Sequence, residues 1–151
     1  MLRILHFSDV HLTVPLGELP HAERAPKRLL GAANLLLRRQ RRFRDAPEKV
    51  AALAALAEQE HVDAVLCTGD YTALGTVAEL ALARQAIAPL TTRRLGFVTL
   101  PGNHDVYVES GALEQRFERA FDGLLGSDAP DLAVDGHWPL VRLLGDDVAI
   151  V

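Results

Sequence analysis

The chain has 151 residues, of which 49% are hydrophobic and 24% charged, and its formal net charge is -4. That is one domain's worth of sequence, able to bury about two thirds of its unfolded surface, and the composition excludes intrinsic disorder. The charge supplies no global attraction for nucleic acid or an anionic membrane, no apolar run approaches the ~20 residues of a membrane span, and a single cysteine excludes an internal disulfide, which sets a cytoplasmic address as the expectation.

Residues 2–7 are apolar and partly β-branched, and a strand this close to the start, followed by helical sequence, is expected to lie in a buried sheet. It runs into Ser8-Asp9-Val10-His11. Asp9 and His11 are two residues apart, so in an extended chain they project to the same side and can reach one cation together. The plain alternative is a turn aspartate beside a surface histidine. Residues 13–26 hold three prolines and one glycine and are expected to form a surface loop. From Pro26 the pattern turns helical, with Leu29, Ala33 and Leu36 on one stripe, and ends in the basic run Arg38-Arg39-Gln40-Arg41-Arg42-Phe43-Arg44. Residues 27–44 are either a packed helix whose last turn carries cations at its negative dipole end, or a basic segment suited to weak contact with a membrane surface or to a phosphate-rich partner.

Asp45-Ala46-Pro47-Glu48 has the form of a helix start, with an N-cap aspartate, a proline in the first turn and an acid three residues after the cap. The helix should run to about Glu60 and turn Val50, Leu53, Ala54 and Ala57 inward. Val62 to Cys67 is the second expected strand, releasing Thr68-Gly69-Asp70, and the strand-helix-strand order implies parallel neighbours joined right-handedly. Cys67 lies in an apolar strand as core filler, and His21 and His61 are expected at the surface. Thr76-Val77-Ala78-Glu79 is a capping box that opens a helix ending at Pro89. The third strand, Leu95 to Leu100, is broken by Pro101 and Gly102 and delivers Asn103-His104-Asp105 at its carboxyl end, where open α/β sheets bind ligands. Ser110 can cap a helix bearing Leu113, Phe117, Ala120 and Phe121. Residues 123–136 form a loop, and residues 138–144 and 148–151 a strand, turn and strand. The apolar run from Val148 to Val151 at the terminus suggests the amino-terminal part of a longer protein.

Three strands that each release metal-type ligands at one end predict a converging site. Asp9, His11, Asp70 and Asn103 offer carboxylate, imidazole and amide oxygen, a donor set suited to Mn, Fe or Zn. Two such ions about 3.5 to 4 Å apart can hold a hydroxide and neutralise a phosphoryl group during in-line attack. Asp70, on the middle segment, is the candidate bridge. His104 can donate a proton to the leaving oxygen, and Asp105 can fix the tautomer of that histidine.

Asp9-x-His11, Gly69-Asp70 and Gly102-Asn103-His104-Asp105, in that order and each after a strand, resemble the calcineurin-like metallophosphoesterase superfamily. The resemblance implies an α/β fold, a metallophosphoesterase-type β-sandwich flanked by helices with the site on loops at one edge. It also implies that Asp9 and His11 bind one metal, Asp70 bridges, Asn103 binds the second, and His104 acts as acid or transition-state stabiliser. The resemblance spans residues 1–151 but covers only the amino-terminal part of the family's domain, and so implies a domain truncated at its carboxyl end. Gly136-His137 is followed by Trp138-Pro139 and lacks the second histidine of a Gly-His-x-His segment, so His137 is not assigned to metal. Gly69-Asp70-Tyr71-Thr72-Ala73-Leu74-Gly75 departs from the protein serine/threonine phosphatase pattern. A phosphoesterase acting on phosphodiesters or small phosphomonoesters is the resulting expectation. The alternatives are a DNA-nuclease branch member and a non-catalytic scaffold or membrane-docking protein.

Overall fold

The computed structural model describes residues 1–18, 43–106 and 115–151. The helical and basic stretch up to Arg42, most of the preceding loop, and the Ser110 cap with Leu113 lie outside the described residues.

Strands β1 (Ile4–Phe7), β2 (Ala64–Cys67) and β3 (Phe97–Thr99) form a parallel sheet in the order β1-β2-β3. β2, the central strand, is the most continuously apolar, as a strand flanked on both edges and covered on its faces should be. The register sets Phe7 beside Cys67 and Cys67 beside Thr99. All three strands therefore end at one level, and the segments 8–11, 68–70 and 100–105 leave from the same edge. The β-strands are shorter than the apolar runs that announce them. At the start of β2, Asp63 is taken up by the Arg3 amide (2.9 Å) and the Arg94 guanidinium (2.7 Å), which tie the entry of the sheet together.

Helix α1 (Ala46–Gln59) connects β1 to β2, and helix α2 (Val77–Ala86) connects β2 to β3. α1 buries Val50 and Ala57, as its periodicity predicts, with Leu53 and Ala54 partly covered, and it buries Ala46 in its first turn besides. Its N-cap differs from expectation. Asp45 occupies the cap position without capping the backbone and instead pairs with Lys49 at 3.1 Å, one helical turn on. Both partners are exposed, so the pair adds little stability. α2 begins on the capping box that the sequence announces, with the Thr76 and Glu79 side chains each satisfying the other's backbone N–H.

A short helix α3 (Arg116–Ala120) packs against α2, and a hairpin of β4 (Arg142–Leu144) and β5 (Val148–Ile150) follows antiparallel. The hairpin turn places Gly145 at φ 73°, where glycine is unstrained. The core runs from Val65, Cys67 and Phe97 of the sheet to Leu80 and Ala83 of α2 and Ile87 at its C-cap. Cys67 is wholly buried in this core, as apolar filler should be, and that burial pushes its thiol up to about 12. Tyr71, Phe117 and Phe121 form an aromatic cluster, with Phe117 and Phe121 stacked at 4.4 Å and Tyr71 at 4.7 Å from Phe121. Among the described residues no helix is long and apolar enough to cross a membrane.

Tyr71 stands directly beside Asp70, so this cluster is also the support under the strand-end loops. Phe121→Ala should lower unfolding free energy by about 3 to 5 kcal/mol, the usual range for emptying a buried aromatic position. Guanidinium titration of both proteins checks it. A loss under about 1 kcal/mol would mean that the ring is not packed as described.

Candidate active site

The parallel ladder does not stop where the strands do. The Asp9 amide donates to the Gly69 carbonyl (3.1 Å), the His11 amide to Asp70 (3.0 Å) and the Leu12 amide to Tyr71 (2.7 Å), while the Ala73 amide returns to Leu12 (3.2 Å). The two loops thus travel side by side. The cost is that Asp9, His11 and Asp70 take φ values of 59°, 52° and 57°, left-handed backbone that residues with a Cβ adopt at a penalty of about 1 to 3 kcal/mol each. Asp9 and His11 are therefore not extended, as their spacing suggested. Their side chains meet nonetheless, with Asp9 Oδ1 at 3.5 Å from His11 Nε2.

The β2 and β3 exits approach backbone to backbone. A Cβ on Gly69 would overlap the Gly102 amide, and a Cβ on Gly102 would overlap Asp70. Only glycine at both positions allows this contact, and it brings the His104 amide within 2.9 Å of Asp70 Oδ1.

Asp105, fully buried, secures the same junction. Its carboxylate accepts from the amides of Gly102 (2.9 Å), Tyr71 (3.3 Å) and Thr72 (3.0 Å) and from the Thr72 hydroxyl (3.0 Å). Burial raises its pKa above the ordinary carboxylate value, and these hydrogen bonds offset part of that rise. The expected role of Asp105 at the His104 ring is filled by another group. His104 Nδ1 donates to the Ala73 carbonyl at 2.9 Å, because both Asp105 oxygens are already committed to the main chain of the neighbouring loop. His11 Nδ1 likewise donates to the Thr72 carbonyl at 3.2 Å. A carbonyl can only accept, so in each ring Nδ1 carries a proton and Nε2 is the nitrogen that binds metal or exchanges a proton.

His11, Asp70 and His104 each place one ligand atom within 4.8 Å of the others. The two imidazoles meet edge to face at 4.9 Å, and the His11 ring lies 4.8 Å from Phe43. Three of the residues singled out from the sequence therefore converge, with Asp9 beside them. His104, expected as a proton donor, sits within the metal-type cluster itself. Asn103 is exposed on the turn between Gly102 and His104. Sequence reasoning missed the Ala73 and Thr72 carbonyls, and no side-chain signal marks a backbone acceptor.

The loop that carries those carbonyls is pinned by Glu79, also fully buried. Its Oε2 accepts from the amides of Leu74 (3.0 Å) and Thr76 (3.3 Å). Oε1 makes no hydrogen bond among the described residues, and the Val14 amide gives only weaker electrostatic help. Burial consequently pushes the Glu79 carboxyl up to about 7. The folded protein keeps this proton up to that pH, while the unfolded chain releases it near 4.5, the group's ordinary value. Stability from Glu79 is thus greatest below 4.5 and declines as pH rises to 7, by about 3 kcal/mol at most. Glu79→Gln should remove that decline, which unfolding titrations at pH 4.5 and 7.5 would show. Equal pH slopes in the two proteins would refute it.

A search of curated proteins and a search of solved structures return no match. The family model for calcineurin-like phosphoesterases matches residues 2–150. Nearly the whole chain is covered, and the strand-end segments with their converging imidazoles and carboxylates lie inside the match, so the chain belongs to the calcineurin-like phosphoesterase family.

Proposed function

We propose that this protein hydrolyses phosphodiesters or small phosphomonoesters at a dinuclear metal site built on Asp9, His11, Asp70 and Asn103, with Asp70 shared between the ions. The observation that carries this reading is the convergence of His11, Asp70 and His104 in a member of a phosphoesterase family. The donor chemistry fits a cation. His11 Nε2 faces Asp9 Oδ1 at 3.5 Å, two acceptor atoms that need either a proton or a positive ion between them. Imidazole and carboxylate donors suit Mn, Fe or Zn, and the one thiol is buried in the core. The lone reduced cysteine also suits a cytoplasmic setting. The hairpin is a natural start for the second layer of the sandwich that the family resemblance implies.

Bound ions would supply positive charge to the phosphoryl oxygens and acidify water. The chain's own contribution is orientation and proton transfer. The Thr72 carbonyl holds the His11 ring, and the Ala73 carbonyl holds the His104 ring. With Nδ1–H engaged, His104 can carry a second proton at Nε2 and release it to the leaving oxygen, reverting to the neutral ring without turning. Asp105 acts as a positioning residue, since it fixes the loop that bears both carbonyls.

The placement of His104 among the ligands supports a second role for it, as a metal donor. Bis(p-nitrophenyl) phosphate hydrolysis with added Mn, together with metal content, separates the two. Asp70→Asn should lower kcat/KM at least a hundredfold and reduce bound metal, and a chelator should abolish turnover. His104→Ala should lower kcat by about 10² to 10⁴ with metal retained if it is the acid, and should lose metal if it is a ligand. No metal uptake and no hydrolysis by the unmutated protein would overturn the enzyme assignment in favour of a scaffold.

A further inference from the structure

A cavity of about 230 Å³ lies between the exit of β1 and the first turns of α1, and Asp9 forms part of its wall. Val10, Ala46, Val50 and Leu53 give it an apolar lining, and Ser8 and Lys49 supply its polar groups. Phe43 contributes an aromatic wall, and the same ring lies 4.8 Å from the His11 ring. The cavity therefore adjoins the site, sharing Asp9 with it and touching His11 through Phe43, while His104 is not among the residues that line it.

The geometry points to this cavity as the subsite for a planar aromatic ester arm, the one retained on phosphorus when the other arm leaves. This inference rests on the phosphoesterase reading and specifies its substrate class: phosphodiesters in which the retained arm is aromatic. The leaving oxygen is the one that His104 serves, so the arm entering a cavity without His104 is the other one. Size and chemistry agree. An apolar cavity of ~150 Å³ accommodates benzene, so this one holds a single substituted or fused ring. Phe43 offers a face or edge for stacking. Among the described residues Lys49 pairs with exposed Asp45, at 3.1 Å, and such a pair is weak enough for the amine to turn toward an electronegative group on the incoming ring.

Two phosphodiesters with the same p-nitrophenolate leaving group test it: phenyl p-nitrophenyl phosphate and methyl p-nitrophenyl phosphate, assayed with added Mn. Leu53→Trp, which fills the cavity, should lower the phenyl-to-methyl ratio of kcat/KM about tenfold. Phe43→Leu, a milder change that keeps apolar volume and removes the ring, should lower it several-fold. Calorimetric titration with diphenyl phosphate and dimethyl phosphate reads the same preference without turnover. The unmutated protein should bind the diphenyl compound at least tenfold tighter, and Leu53→Trp should lose that advantage. Hydrolysis of both esters with a ratio unchanged in both variants would overturn the subsite and leave the phosphoesterase standing. Selective diphenyl phosphate binding without any hydrolysis would do the reverse. Equal binding of the two compounds by the unmutated protein would sink the subsite outright.

Discussion

One carboxylate joins the parts of this site. Asp105 is buried between two loops that leave different strands, and it accepts hydrogen bonds from the main chain of both, at Gly102 on one side and Tyr71 and Thr72 on the other. A buried carboxylate is costly unless its oxygens are satisfied. Here the satisfaction comes from amides that would otherwise lack partners at the strand ends. The arrangement holds only if the two loops are in register, and the glycine pair at positions 69 and 102 permits that by removing both Cβ atoms from the contact. The positions of Asp70 and His104 follow from this junction.

A second buried acid repeats the device one layer back. Glu79 fixes the far end of the Tyr71–Thr76 segment by closing the capping box at the start of α2. The segment that presents the Thr72 and Ala73 carbonyls is thus clamped by a carboxylate at each end, and it lies on an aromatic cluster that cannot easily be displaced. Left-handed backbone at Asp9, His11 and Asp70 persists because the surrounding hydrogen bonds and packing overdetermine it. Strain and support are concentrated in the same few residues.

Much of this architecture is legible in the sequence because it depends on local or periodic signals. The parallel strands follow from apolar runs separated by a helical stretch, the start of α2 follows from Thr76 and Glu79, and the convergence of His11, Asp70 and His104 follows from three strand ends on one edge. What was not legible depends on contacts between residues far apart in the chain. Nothing in Asp9-Val10-His11 announces left-handed backbone, since that conformation is imposed by pairing with residues 69–71. The partner of the His104 ring is a main-chain carbonyl more than 30 residues earlier, so the adjacent carboxylate of Asp105 looked like the natural choice. Asp45 has the right type and place for an N-cap, yet Lys49 one turn away competes for its oxygens.

The contact between Gly69 and Gly102 has a consequence for how such a site can change. Main chain meets main chain there, and the Asp105 and Asp70 carboxylates tie the joint by accepting from main-chain amides, while the imidazoles of His11 and His104 hang from the frame without holding it together. Those two imidazoles can then be exchanged one at a time, altering which cation or ester is preferred, while the scaffold that aims them stays in place. The two glycines have no such latitude. They are the fixed points around which a lineage, or a designer, can vary the chemistry.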